Sequence, residues 1–241
     1  MREEYSVYQN RIHQLTENRA CFPFEWENLN VSAGAYKKFF ENGGYKSFYG
    51  DTVVFPLPEA TRLSLEKLQD ELYDCAGGIL SERLPQETFH ITLHDLSAGE
   101  KLEMVEHYME EHTKMLPQLV KSVRKHGEIR LRSVGIVSMV ASSLVMLFEP
   151  QTEADHELLQ NIFGTIDEVQ PLSYPLTLHC TLAYYQPGSY TPEQWNKVLW
   201  KICELNKREK VEVVLDCAEL EYQHFSSMKD YRKIEVCELS R

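Results

Sequence analysis

The chain lacks several features that would place it quickly. It has no C-x-x-C pair; its six cysteines, Cys21, Cys75, Cys180, Cys203, Cys217 and Cys237, are scattered. That pattern suits reduced thiols in a cytoplasmic protein. No apolar h-region follows Met1-Arg2-Glu3-Glu4-Tyr5, so no signal peptide is expected. Residues 133–148 carry no charge, but they fall short of the ~20 residues that a membrane helix needs. Residues 169–192 are also uncharged, and Pro171, Pro175 and Pro187 interrupt them. No membrane span is expected. Basic residues are in deficit: 25 Lys and Arg against 37 Asp and Glu, a net charge of −12. Such a surface repels long polyanions, because affinity for nucleic acid backbones rests on Lys and Arg contacts. A long DNA partner is therefore not expected. A small phosphorylated ligand fits better, and an RNA end stays open because net charge does not describe one cleft.

What is present is ordinary for a globular protein: 241 residues, 43% hydrophobic and 26% charged, with no low-complexity segment or Pro/Gly-rich linker. The length suits one large domain or two fused lobes. Residues 1–30 read as a short helix and an irregular arm, and 32–42 as a helix stopped by Gly43-Gly44. A short strand at 52–55 closes at Pro56 and Pro58, and Leu65, Leu68 and Leu72 mark an amphipathic helix over 59–75. A strand at 87–93 precedes a long helix over 98–126, open to a break at Pro117. Residues 128–140 and 143–148 read as paired strands turning near Ala141, followed by a helix over 153–163 and a strand over 176–183. Thr191-Pro192-Glu193-Gln194 opens a helix, with Thr191 as N-cap, that runs to about Asn206. Strands over 211–221 and 234–239 finish the chain, with a turn at 226–230. Helices and strands alternate without a parallel-sheet rhythm, which predicts an α+β fold.

One tetrapeptide occurs twice: His90-Ile91-Thr92-Leu93 and His179-Cys180-Thr181-Leu182. Alternate residues of a strand share a face. Phe89, Ile91 and Leu93 would then pack inward while His90, Thr92 and His94 point the other way. In the second copy Leu178, Cys180 and Leu182 pack, and His179 and Thr181 project. A His pair can hold opposite protonation states near neutral pH, so one imidazole can take a proton while the other gives one. Threonine hydroxyls can donate to the non-bridging oxygens, where charge gathers. The pairing suits cleavage of a phosphodiester and calls for no metal. A single copy would be weak evidence, since a lone His is more often structural; two copies on two apolar strands are much stronger.

The doubled H-x-T-x pattern resembles that of the 2H phosphoesterase superfamily, which includes RNA 2′,3′-cyclic phosphodiesterases and the 2′-5′ RNA ligase-like proteins. The match is specific at the two motifs and only architectural elsewhere. The resemblance implies two pseudo-symmetric lobes whose antiparallel sheets flank a central groove, with helices outside. It implies catalytic roles for His90 and His179 and phosphate contacts for Thr92 and Thr181. In the family the first His is commonly the acid and the second the base. It further implies a metal-independent phosphodiesterase that needs no cofactor and acts on a 2′,3′-cyclic phosphate, a small cyclic or 2′-5′-linked nucleotide, or an RNA end. The alternative is a non-catalytic nucleotide- or RNA-binding module on the same fold. The chain departs from compact members in its first fifty residues, so 1–50 is expected as an N-terminal extension and 51–241 as the bilobal domain.

Further candidates surround the motifs. His94 shares the face of His90 if the strand continues, and would help hold the ligand; its spacing from His90 would suit metal ligands only on a helix. Tyr185 falls on the alternating face of His179 and Thr181, as a stacking or phosphate-contacting residue, with Tyr184 packing inward. The aromatics of Phe48-Tyr49-Gly50-Asp51-Thr52, Tyr49 among them, could stack on a base. Cys180 reads as a packed thiol because adjacent strand residues face opposite ways. Tyr222, His224 and Lys229 could border the groove.

Overall fold

The computed structural model describes residues 3–19, 29–76, 78–208 and 210–235. Helix α1 (Tyr5–Arg19), the short strand β1 (Leu29–Asn30) and helix α2 (Ala33–Lys38) lead into β2 (Tyr49–Pro56), α3 (Glu59–Ala76) and β3 (His90–Gly99). Helix α4 (Glu106–Val123) crosses to β4 (Glu128–Met139) and β5 (Ser143–Pro150). Then follow α5 (Glu153–Asp167), β6 (His179–Tyr184), the short β7 (Ser189–Tyr190), α6 (Pro192–Leu205), β8 (Glu212–Asp216), β9 (Glu221–Ser227) and β10 (Asp230–Lys233). Among the described residues no helix is long and apolar enough to cross a membrane.

Two four-stranded antiparallel sheets result, in the orders β10-β9-β2-β3 and β6-β5-β4-β8. The expected α+β architecture is present. The plan β2–α3–β3 repeats as β5–α5–β6, and in each repeat the last strand lies at the edge of its sheet. These two edge strands, β3 and β6, carry the tetrapeptides and lie beside each other where the sheets meet. The helices cross over. Helix α3 packs against β6 and α6, and α5 packs against β3 and α4 as well as against β4 and β5 of its own sheet, so each motif strand meets the helix of the other repeat.

Several expected elements differ at their ends, each for a local reason. Helix α2 is shorter than 32–42 because Phe39 leaves the helix, at φ −136, to pair with Tyr45 across the Gly43-Gly44 turn. Strand β3 runs on to Gly99, so the following helix starts only at Glu106. Pro117 lies inside α4 without ending it. The stretch 211–221 divides, because a 3-10 turn at Cys217–Glu219 carries the chain from one sheet to the other. The last strand comes earlier than 234–239, as β10, and residues 236–239 lie outside the described set. The start of α6 is as expected, with Thr191 as N-cap and a full capping box with Gln194.

Among the described residues of the first fifty, helix α1 and the segment before β2 pack onto the second sheet. Tyr8 and Ile12 of α1 are wholly buried, and the Tyr5 and Tyr8 hydroxyls donate to Pro150 O (2.8 Å) and Phe148 O (3.0 Å) of β5. Ser32 N donates to Ala141 O at 2.9 Å, bracing the β4–β5 hairpin at its tip. Val140 and Ala141 sit there at φ 44 and 52, a primed-turn geometry that ordinarily asks for Asn-Gly. Where β2 starts, Gly50 is required by close approach: a Cβ there would collide with Ser97 O and the Phe225 ring.

Candidate active site

The groove between the two sheets is a cavity of about 580 Å³, in the range of small-ligand sites. His90, Thr92, His179 and Thr181 all line it. Strand alternation puts them there, and it puts Ile91, Leu93, Cys180 and Leu182 in the core. The two imidazoles are held in the same way. His90 Nδ1 meets Thr88 O at 2.7 Å, and His179 Nδ1 meets Thr177 O at 2.8 Å. A carbonyl only accepts, so Nδ1 carries the hydrogen in each ring and Nε2 is the nitrogen left for a ligand. The motif strands also touch: the Cys180 thiol lies against the His90 backbone, and burial pushes its pKa up. Cys180 is thus a packed thiol.

Burial in the groove pushes the His90 pKa down to about 4. The hydrogen bond to Thr88 O opposes the shift, the nearby His179 adds to it, and Asp95 opposes it. The Tyr231 ring stands edge-on to His90 at 5.1 Å.

Beyond each motif the strict alternation fails, and two expected placements are corrected. In β3, Val53 faces His94 and Val54 faces Thr92, so Leu93 is an extra residue. In β6, Leu144 faces Ala183 and Val145 faces Thr181, so Leu182 is extra. Each is a β-bulge, which exchanges the two faces for the residues just after it. His94 therefore turns away from the groove. It is wholly buried, bonds Asp167 Oδ1 at 3.1 Å and packs on Phe163; it cannot share a ligand with His90. Tyr185 turns inward as well, wholly buried with its ring against Trp195. Their places in the groove go to Asp95 and Tyr184. Tyr49 opens β2 opposite Gly99 and does not line the groove, whereas its neighbour Phe48 does. Tyr222 and His224 face α4, where both bond Thr113.

Sequence reasoning missed Lys38, Asp95, Tyr174 and Tyr231, all of which line the groove. The Lys38 ammonium lies over the rings of Phe48 (5.4 Å) and Tyr184 (5.1 Å). The Tyr174 hydroxyl donates to Asp95 Oδ2 at 2.8 Å, joining the segment before β6 to β3 across the groove.

A conserved protein of unknown function from Agrobacterium tumefaciens matches 86% of this chain and 99% of its own, with a TM-score of 0.57 and 16% identity. The two share a fold. TT0787 from Thermus thermophilus (TM-score 0.48, 15% identity, 77% of this chain and 94% of that one) is a looser likeness. So is E. coli LigT in its apo form (TM-score 0.44, 14% identity, 79% and 96%). No family model and no curated protein matches the chain.

Proposed function

We propose that this chain is a phosphodiesterase of the 2H superfamily, acting on a 2′,3′-cyclic phosphate or a small cyclic or 2′-5′-linked nucleotide. One observation carries the reading. Two imidazoles line one groove, each with Nδ1 tied to a carbonyl two residues back and each followed by a threonine two residues on. In cyclic phosphate hydrolysis the basic Nε2 takes a proton from water as the water oxygen bonds to phosphorus. The P–O bond to the ribose oxygen breaks, and the protonated imidazole gives that oxygen its proton. The Thr92 and Thr181 hydroxyls donate to the non-bridging oxygens as charge builds there. On a 2′-5′ linkage the base instead takes the proton of the neighbouring 3′ hydroxyl as its oxygen bonds to phosphorus; the P–O5′ bond breaks, the acid imidazole protonates O5′, and a 2′,3′-cyclic phosphate is the product.

The family pattern makes His90 the acid and His179 the base. Burial favours the reverse, because an imidazole with its pKa pushed down to about 4 is neutral and ready to accept. A phosphate beside it raises that pKa again. The pH dependence of kcat/KM separates the two roles, since it reports the free protein. If His90 is the base, activity falls as pH drops through about 4. If it is the acid, activity falls as pH rises through the same value.

The deciding experiment assays His90→Ala and His179→Ala on a panel of cyclic nucleotides and 2′-5′ dinucleotides. Each should lose at least about 100-fold in turnover with its Tm little changed. Full activity in both single variants would refute the mechanism. Nucleotide binding without turnover by the unaltered protein would leave the non-catalytic module.

A further inference from the structure

We propose that Arg11, on the N-terminal helix, is a positioning residue for His179. Its effect on turnover rests on the two-histidine reading above; its effect on the imidazole itself does not.

The two histidines hang from their carbonyls alike, but those carbonyls are held differently. Thr88 belongs to a 3-10 turn, Gln86–Thr88, that its own neighbours close: Thr88 Oγ1 donates to Pro85 O at 2.7 Å and Phe89 N to Gln86 O at 3.0 Å. Residues 176–178 form neither helix nor strand. Phe148 N of β5 donates to Leu178 O at 3.0 Å and Thr177 Oγ1 lies 3.2 Å from Pro175 O, and helix α1 supplies the remaining bonds. Arg11 Nη2 donates to Leu176 O at 2.7 Å and Nη1 to Thr177 Oγ1 at 2.9 Å. Leu178 N donates to the Tyr8 hydroxyl at 3.4 Å.

Arg11 is itself fixed before it reaches this segment. Its Nε and Nη2 form a two-point pair with the Glu3 carboxylate at 2.8 and 2.7 Å, and its guanidinium lies over the Tyr8 ring at 5.2 Å. A planar guanidinium offers five N–H groups in one rigid fork. It therefore fixes the Leu176 oxygen and the Thr177 side chain together, and so both sides of the Thr177 Cα from which the next peptide unit leaves; that unit carries Thr177 O and Leu178 N, and Tyr8 of the same helix holds its N–H. Thr177 O accepts the His179 Nδ1 hydrogen. The direction in which His179 Nε2 faces the groove thus depends on a helix from the far end of the chain.

The test uses the full chain with Arg11→Gln, Arg11→Lys and, as control, Tyr5→Phe. Tyr5→Phe removes the bond from α1 to Pro150 O without touching residues 176–178. Imidazole 15N spectra read the tautomer of each ring, and kcat and KM are measured on the best cyclic nucleotide. Arg11→Gln should mix the His179 tautomers, leave His90 unchanged, and lower kcat on the order of 10-fold with KM nearly constant. Arg11→Lys, with one donor point left for two acceptors, should fall between. Tyr5→Phe should lose stability without loss of kcat. If Arg11→Gln does not fold, Tyr8→Phe, which frees Leu178 N and keeps the ring, should move the His179 signals in the same sense. A His179 spectrum unchanged in Arg11→Gln, or equal kcat losses in Arg11→Gln and Tyr5→Phe, overturns the proposal. Should the unaltered protein turn over nothing, the phosphodiesterase reading fails and the spectra still decide this one.

Discussion

Replacing Gln69 by Met tests whether the crossed helices hold the motif strands in shape. Gln69 is buried on α3, and its Nε2 donates to Leu84 O at 3.1 Å and to Leu182 O at 2.8 Å. Leu182 is the bulged residue of β6, so this amide ties a helix of one repeat to the irregular point of the other. Methionine has similar length and helix propensity, so the change removes the donor and little else. Two buried carbonyls then lose a partner, at about 1–3 kcal/mol each. For a chain of this size each kcal/mol moves Tm by roughly 2–4 °C. The expected loss is of the order of 10 °C by calorimetry, with slower turnover because Thr181 and Tyr184 flank the bulge. A Tm within about 2 °C of the unaltered protein, with kcat unchanged, would show that the bulge is held by its own strands and that the helix crossing is incidental.

Other expectations follow from the groove and its surroundings. Tyr184→Ala should raise KM for nucleotides, whereas Tyr185→Phe should leave kinetics alone; the opposite result would mean that no bulge intervenes after Thr181. Lys38→Met should raise KM roughly 3- to 10-fold, since one charge near a phosphate contributes about 1 kcal/mol in a wet groove, and the difference should shrink at high salt. Asp51 is buried on β2, and burial alone would raise its pKa. Hydrogen bonds from His112 (2.7 Å), Ser97 and Tyr222 (2.8 Å) outweigh that and hold it below its ordinary value of 3.8. Its stabilisation is therefore present above the unfolded value and is lost as pH falls through the lower folded one. Asp51→Asn should cost about 3 kcal/mol near neutrality, measured by urea unfolding, and should flatten the acid limb of the stability curve.

The reading from sequence was sound where one physical rule governs a whole element. The leucines of α3, the capped start of α6 and the uncharged run 133–148 within β4 and β5 were legible because periodicity, capping and burial each act locally. The faces of His90, Thr92, His179 and Thr181 were legible for the same reason. Legibility ended at Leu93 and Leu182. A bulge adds one residue, and a period-two pattern then gives the wrong face to the residues just beyond it, hence His94 and Tyr185. Nothing local announces that extra residue, although both bulges fall at the same position of the repeated tetrapeptide. Lys38 and Arg11 were illegible for another reason. Their partners are remote in sequence, Tyr184 for one and residues 176–177 for the other, and no spacing rule connects them.

The exchange of helices between the repeats has a consequence for any attempt to divide the molecule. A cut in the turn at Gly127, between α4 and β4, would leave α3 on one fragment and β6, the strand it covers, on the other. Helix α5 and β3 would be parted in the same way. Neither fragment would own a finished core, so the halves should behave as complementing pieces that fold on meeting, and the intact chain should melt in one transition. The groove, lined by His90 and Thr92 from one fragment and by His179 and Thr181 from the other, would exist only in the reassembled pair.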